Sequence, residues 1–205
     1  MDLNYNTVNI FPTPVHILDV KEFKDIKNDL IEYAYNLKKK QPDSILRSNY
    51  GGWQSSPFYV YDQTDRLHNF LINCLLTLPS IKWDHTQIDT TAWVNINSSG
   101  SFNRKHNHPT SDFSGVLWIK CPEKSGEIVF ESPTCFQTFR EIQSYTQDFK
   151  DQNRCDHSYW FPPTEGRFLI FPSHLEHEVA ENRSNEDRIS VSFNIKLGLS
   201  EELTI

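Results

Sequence analysis

The chain has 205 residues, a formal net charge of −7 and an aromatic content of 13%. This length fits one domain with a sizeable core, and the aromatic content excludes a disordered chain. The excess of acidic residues argues against a nucleic-acid-binding protein, which needs a basic face, and against binding to anionic membranes.

The sequence shows no feature of a secreted or membrane-spanning protein. Residues 1–20 contain neither the basic nor the apolar region of a signal peptide, and no run of about 18 apolar residues predicts a membrane span. Four cysteines are widely spaced, and Cys74 and Cys121 lie in apolar stretches that are typical of a core. We therefore expect a cytoplasmic protein.

Up to about residue 80, two stretches have apolar residues at helical spacing. The first covers 23–37 and the second covers 67–78, where Pro79 ends it. Between them, the glycine-containing stretch 48–55 is typical of a loop.

After residue 80 the patterns are typical of strands. In 91–97, Ala92, Val94 and Ile96 alternate with Trp93, Asn95 and Asn97, which predicts one apolar and one polar face. Further strands are predicted at 114–120, 127–131, 167–171 and 188–196, and the polar stretch 134–156 is predicted as a partly helical insertion. Helices first and strands later predict an α+β chain, mainly β, with a sheet sandwich or barrel as its core.

Three histidines lie near the ends of predicted strands. His106 and His108 precede a strand, and residues i and i+2 point to the same side of an extended backbone, so both can bind one metal ion. His177 follows an apolar strand much further along the chain, and it reaches the other two only if the strands are neighbours, as in a jelly roll. Imidazole suits Fe and Zn. The alternative is a set of exposed polar side chains without a ligand.

Arg188 opens the apolar strand 188–196. An arginine that points into a barrel is costly unless it meets an anion, and its planar guanidinium suits a carboxylate in bidentate geometry. The alternative is an arginine that faces solvent and pairs with Asp187 or Glu186.

Taken together, these features resemble a known family. The motifs that carry the resemblance are Gly51-Gly52-Trp53, His106-x-His108-Pro109, Ser114-Gly115-Val116, Phe171-Pro172-Ser173, His177 and Arg188-Ile189-Ser190. In this order they resemble the core of prolyl-4-hydroxylase-type 2-oxoglutarate/Fe(II) oxygenases and, more closely, a group of such oxygenases without assigned substrates. The resemblance covers about residues 45–196.

The resemblance implies a fold and a domain organisation. The fold is a double-stranded β-helix, or jelly roll, with N-terminal helices packed on it. We expect a single domain over 1–205, with a helical part at about 1–80 and a β-helix core at about 81–197.

The resemblance also implies Fe(II) and 2-oxoglutarate as cofactors and the hydroxylation of an unidentified small-molecule or peptide substrate. His106 and His177 match two members of the metal triad, and Arg188 matches the residue that binds the distal carboxylate of 2-oxoglutarate. Trp118 stands where many relatives have a tyrosine that contacts this carboxylate, and Asn95 is expected within reach of the co-substrate or as part of a polar lining. The stretches 50–55 and 134–156 are candidates to line the substrate entrance.

One position departs from the family's pattern, which has Asp or Glu where this chain has His108. Three interpretations are open. His108 is a neutral third metal ligand, or it does not bind the metal and leaves two protein ligands, or Asp112 or Glu131 supplies a carboxylate ligand from elsewhere. We favour His108, because the i+2 position is the ligand position.

Two other functions fit parts of the sequence. Gly100, His106, Gly166, Pro172 and His177 also follow the spacing of a cupin-type metal-binding enzyme, although His174 stands where a cupin has glycine. A cupin would bind metal without 2-oxoglutarate and leave Arg188 without a defined role. A non-catalytic jelly-roll binding module is the third hypothesis, because the triad lacks its carboxylate.

Overall fold

The computed structural model describes residues 4–61, 65–80, 86–134 and 140–199. Its strands are β1 (His16–Asp19), β2 (Asn49–Tyr50), β3 (Trp53–Gln54), β4 (Phe58–Tyr59), β5 (Thr86–Asn97), β6 (Phe102–His106), β7 (Phe113–Lys120), β8 (Ile128–Glu131), β9 (Ser158–Phe161), β10 (Arg167–Pro172), β11 (His177–Val179) and β12 (Arg188–Leu199). Its helices are α1 (Phe23–Lys40), α2 (Arg66–Leu76), α3 (Arg140–Ser144) and α4 (Gln147–Asn153).

The strands form two sheets. Within each sheet, every pair of hydrogen-bonded strands is antiparallel. The larger sheet has seven strands in the order β1-β10-β7-β12-β5-β3, with β4 also paired to β5. The smaller sheet has five strands in the order β2-β6-β11-β8-β9. The mainly-β architecture with N-terminal helices is therefore confirmed.

Helices α1 and α2 confirm the two helical stretches that the apolar spacing predicts. Each buries one face in the core of the larger sheet, α1 through Phe23, Leu30 and Ala34 and α2 through Leu67, Leu71 and Leu75. The carboxylate of Asp65 caps α2 by accepting hydrogen bonds from the first backbone N–H groups of the helix. Among the described residues, no helix is long and apolar enough to cross a membrane.

Several short strands were not predicted. The stretch 48–55, predicted as a loop, instead contains β2 and β3 on either side of Gly51 and Gly52, whose φ angles of 65° and 67° lie in the left-handed region that glycine adopts without strain. With β1 and β4, four short strands lie in the part before residue 80 that was predicted to be helical. In the insertion 134–156, α3 and α4 confirm the helical content, and residues 135–139 lie outside the described residues.

The central strands of the larger sheet separate an apolar core from a polar wall. On β5, Ala92, Val94 and Ile96 are buried in the core beneath the helices, while Trp93, Asn95 and Asn97 line a cavity on the other face, as the alternation predicts. On β12, Ile189 and Val191 join the core, while Arg188, Ser190 and Ser192 line the same cavity. Period-two alternation therefore carries the polar groups of neighbouring strands into one wall.

Gly115 permits the close packing of the middle of this sheet. It lies on β7 between Phe193 of β12 and Ile170 of β10, and a Cβ at this position would meet the Phe193 ring and lie 2.6 Å from the carbonyl oxygen of Leu169. We expect Gly115→Ala to lower the free energy of unfolding by about 1–3 kcal/mol, since backbone and ring must shift. Urea denaturation measures this change, and an unaltered midpoint with an unaltered slope would contradict it.

Candidate active site

A cavity of about 900 Å³ lies between the two sheets. Strands β5, β7 and β12 supply one wall and β6 and β11 supply the opposite wall. All six site residues expected from the sequence line this cavity: His106, His108, His177, Arg188, Asn95 and Trp118. The fold thus brings together side chains that are far apart in the chain.

The three histidines converge because β6 and β11 are neighbouring strands on which His106 lies directly opposite His177. The ring centroids are 4.4 Å apart for His106 and His177, 5.0 Å for His106 and His108, and 5.3 Å for His108 and His177. Their potential ligand atoms lie within 4.8 Å of one another. His106 ends β6, and His108 lies in the loop before β7, where its backbone N–H donates to the carbonyl oxygen of Ser173.

Hydrogen bonds orient two of the imidazoles for metal binding. Nδ1 of His106 lies 2.7 Å from the carbonyl oxygen of Arg104, and Nδ1 of His177 lies 3.0 Å from that of Leu175. Because a carbonyl only accepts, each Nδ1 carries the proton and each Nε2 keeps its lone pair. Ser48 Oγ lies 3.4 Å from Nε2 of His106.

Burial keeps the three imidazoles neutral. Desolvation lowers the pKa of His106 below its usual value, lowers the pKa of His108 to about 4 and lowers the pKa of His177 to about 3. Neutral imidazole is the form that binds a metal ion, so no proton has to be released from these rings at neutral pH.

The two carboxylates considered as alternative third ligands have other partners. Asp112 accepts a hydrogen bond of 2.8 Å from the backbone N–H of Leu197. Glu131 forms a 2.9 Å ion pair with Lys105 and its side chain is 45% exposed. Neither lines the cavity. Among the described residues, the group that can hold a metal here consists of the three histidines.

Arg188 is one of the largest fully buried side chains, with 2% of its surface exposed. Its Nη1 donates to the carbonyl oxygens of Ser125, Gly126 and Ala180. The alternative of an arginine facing solvent was wrong: Asp187 accepts a hydrogen bond from Tyr35, and Glu186 pairs with Lys120.

The buried guanidinium has no anionic partner within the part of the chain that the structure describes. No carboxylate lies within 4 Å of it there, and its Nε and Nη2 make no hydrogen bond to a described residue. Burial lowers the pKa of Arg188 to about 10, so the side chain stays charged at pH 7. A buried cation with unused donors on a cavity wall fits an anionic ligand.

Asn95 and Trp118 lie on strands on either side of β12, near Arg188. Nδ2 of Asn95 donates to Ser192 Oγ at 3.0 Å, so one of the two N–H bonds of its amide is engaged within the wall. Trp118 lines the cavity with only 2% of its surface exposed, and its Nε1 makes no hydrogen bond to a described residue. Both positions suit contact with a ligand held by Arg188, and that contact stays a prediction.

The sequence profile of the family described as "Putative 2OG-Fe(II) oxygenase" matches residues 91–194, about half of the chain. The matched segment runs from β5 to β12 and includes the three histidines and Arg188. The chain belongs to this family. Membership confirms the predicted oxygenase, with Fe(II) and 2-oxoglutarate as its cofactors.

The oxygenase shares its fold with solved structures of low sequence identity. A prolyl-4-hydroxylase from Pseudomonas putida aligns with a TM-score of 0.59 at 12% identity, over 90% of this chain and 92% of that chain. A prolyl hydroxylase from Trichoplax adhaerens, in complex with a peptide fragment of hypoxia inducible factor, aligns with a TM-score of 0.56 at 12% identity, over 89% and 83%. HygX from Streptomyces hygroscopicus, with nickel and 2-oxoglutarate bound, aligns with a TM-score of 0.53 at 9% identity, over 90% and 83%.

These likenesses confirm the predicted double-stranded β-helix. Because the sequence identities are so low, the three structures show a shared fold and do not show a shared function. A comparison with curated proteins found no match for the oxygenase.

Sequence reasoning missed part of the cavity lining. Ser190 and Ser192 carried a usable signal, because they alternate with apolar residues on β12. Arg47 and Ser48 carried none, since only the pairing of β2 with β6 brings them to the site. Of the stretches considered for the entrance, 50–55 contributes Gln54, and no described residue of 134–156 lines the cavity.

Proposed function

We propose that this oxygenase binds Fe(II) through His106, His108 and His177, binds 2-oxoglutarate through Arg188, and oxidises its substrate in the cavity between the sheets. The observation that carries the proposal is the buried Arg188, whose guanidinium has no carboxylate partner among the described residues and which lines the same cavity as the three imidazoles. An anion bound by this arginine therefore has its other end available to a metal at the histidines.

The donor set fits iron. Imidazole nitrogen is a common ligand of iron, the Nδ1 hydrogen bonds of His106 and His177 leave Nε2 as the ligand atom, and candidate ligand atoms of the three rings lie within 4.8 Å of one another. Three protein ligands leave coordination positions open, as catalysis by a metal requires. When bound, Fe(II) would activate O₂, the oxidant: one oxygen atom would go to 2-oxoglutarate, which becomes succinate and CO₂, and the other to a C–H bond of the substrate, which becomes an alcohol.

The protein's own residues bind and orient. Arg188 fixes one end of the co-substrate, and the carbonyls of Ser125, Gly126 and Ala180 hold the guanidinium in place. We propose that Trp118 and Asn95 donate hydrogen bonds to the same ligand from the adjacent strands β7 and β5. Buried apolar residues behind this wall keep water from the bound carboxylate, which strengthens its attraction to Arg188.

Hydroxylation of a small molecule or a peptide is the proposed reaction. A cavity of about 900 Å³ has room for a substrate beside the co-substrate, and the structure from Trichoplax adhaerens holds a peptide. The proposal treats 1–205 as one domain, supported by the shared core of α1, α2 and the larger sheet. A cytoplasmic location and the absence of a nucleic-acid partner stay predictions from the sequence.

Anaerobic titration with Fe(II), followed by addition of 2-oxoglutarate and O₂ and measurement of succinate, tests the proposed function. We expect saturable binding of one Fe(II) per chain and slow succinate formation even without substrate. His177→Ala, which removes a ligand, is expected to lose both signals. Fe(II) binding without 2-oxoglutarate binding would favour a cupin-type enzyme, and a protein that binds neither would favour a binding module.

A further inference from the structure

The charged residues that line the cavity are all basic. They are Arg47, Arg104, Lys105 and Arg188, and the lining contains no Asp or Glu among the described residues. This contrasts with the whole chain, which has 27 acidic and 20 basic residues. Since the surface as a whole is acidic, the basic lining is a local property of the cavity.

Two of the four cations already have a role. Arg188 lies at the buried end and is assigned to 2-oxoglutarate. Lys105 forms an ion pair with Glu131. The other two, Arg47 and Arg104, are exposed, so they lie where the cavity opens to solvent, and neither forms an ion pair with a described residue.

Both arginines lie beside the metal-binding histidines. Arg47 precedes Ser48, whose Oγ lies 3.4 Å from Nε2 of His106, and the backbone N–H of Arg104 donates to the carbonyl of Ser48 at 2.9 Å. The register also shifts here, because β6 has an extra residue between its pairs with His177 and Val179. A bulge of this kind redirects side chains beside functional sites.

The guanidinium of Arg104 is held by an aromatic ring instead of a carboxylate. It lies 5.9 Å from the ring centroid of Tyr50, which in turn stacks on Phe102 at 4.9 Å. A cation–π contact positions the guanidinium without neutralising it, so its N–H groups stay available to an anion. Beside Arg47, Leu46 is 76% exposed and also lines the cavity, which adds an apolar surface at the opening.

A neutral third ligand increases the positive charge of the inner site. Imidazole binds a metal as a neutral group, so Fe(II), dianionic 2-oxoglutarate, Arg188 and the three histidines would together keep a net positive charge, which a carboxylate in place of His108 would cancel. The inner site and the opening therefore attract the same kind of ligand.

We propose that the substrate of this oxygenase is an anion that carries a carboxylate or phosphate group, bound at the cavity opening by Arg47 and Arg104. The group to be oxidised then extends inward to the three histidines. Arginine suits this task because its planar donors match both oxyanions. The inference rests on the proposed function and specifies its substrate class.

The test uses matched probes on protein loaded anaerobically with Fe(II) and saturating 2-oxoglutarate. Phenyl phosphate and phenylacetate are compared with the neutral benzyl alcohol and phenylacetamide by calorimetry and by ligand NMR. We expect at least one anion to bind about tenfold more tightly than its neutral partner, a difference near 1.4 kcal/mol. The phosphate and carboxylate arms distinguish the two sources of the anion.

Variants assign this preference to the two arginines. Arg47→Gln and Arg104→Gln are each expected to weaken anion binding severalfold, and the double variant to bind anion and neutral partner alike. Arg183→Gln is the matched control, since it removes the same charge from a side chain that is 78% exposed and outside the cavity lining.

The outcomes separate the two proposals. If the wild type does not bind 2-oxoglutarate, the proposed function fails and this inference fails with it. If 2-oxoglutarate binds but no probe anion binds better than its neutral partner, only the anionic-substrate inference is overturned. The anionic-substrate inference is also overturned if the double variant keeps the preference of the wild type for the anion over its neutral partner.

Discussion

Arg188→Ala is expected to abolish measurable 2-oxoglutarate binding while leaving Fe(II) binding nearly intact. The arginine is 2% exposed, and in the described part of the chain no carboxylate pairs with it, so its unused donors are reserved for a ligand. Without the guanidinium, one carboxylate of 2-oxoglutarate is buried without a partner, at a cost of roughly 3–5 kcal/mol. This corresponds to a loss of affinity of about two to three orders of magnitude or more.

Calorimetric titration of 2-oxoglutarate into metal-loaded protein measures this effect. Arg188→Lys should recover only part of the affinity, because an ammonium supplies a point charge where the guanidinium supplies a fork. Arg183→Ala serves as the matched surface control, with its side chain 78% exposed. Fe(II) affinity, measured on the same samples, reports whether the variants remain folded, since the three histidines lie outside β12. Equal 2-oxoglutarate affinities for wild type and Arg188→Ala would refute the assignment.

The elements that the sequence predicted are those with a strong local period. Helices α1 and α2 follow from apolar spacing, and the two faces of β5 follow from strict alternation between Ala92 and Asn97. Strands β2 and β4 have two residues each, so no period can develop within them. Their conformation depends on partners in β6 and β5 that are distant in the sequence.

The same distinction explains how far the site was predictable. The spacing and motif order led to His106, His177 and Arg188, and the jelly roll supplied the neighbouring strands that bring the two histidines together. Ser48, Arg47 and the bulge on β6 depend on long-range pairing, for which the sequence carries no local signal. Asp112 was a candidate third ligand, yet its carboxylate accepts a hydrogen bond of 2.8 Å from the backbone N–H of Leu197, a contact that only the folded chain shows.

The identity of the third ligand determines the charge of the metal site. The centroid of the His108 ring lies 5.0 Å from that of His106, 5.3 Å from that of His177 and 6.0 Å from that of Trp93. Its imidazole is neutral because burial lowers its pKa to about 4. This position distinguishes a site with three neutral ligands from one with a bound carboxylate.

His108→Ala is expected to weaken Fe(II) binding by more than the roughly 10–100-fold that follows the loss of an outer hydrogen-bond partner, because a ligand itself is removed. His108→Asp should keep or improve Fe(II) affinity, since a carboxylate offers an oxygen ligand and a negative charge at the same position. His108→Asn is the matched control for Asp, because it has the same shape without the charge. Anaerobic Fe(II) titration measures all three variants.

If His108→Ala binds Fe(II) as tightly as wild type, His108 is not a ligand and the site has two histidines. If the His108→Asp variant binds Fe(II) no more tightly than the His108→Asn variant, the added charge does not act on the metal. In that case position 108 is not the ligand position that it is in the family's pattern.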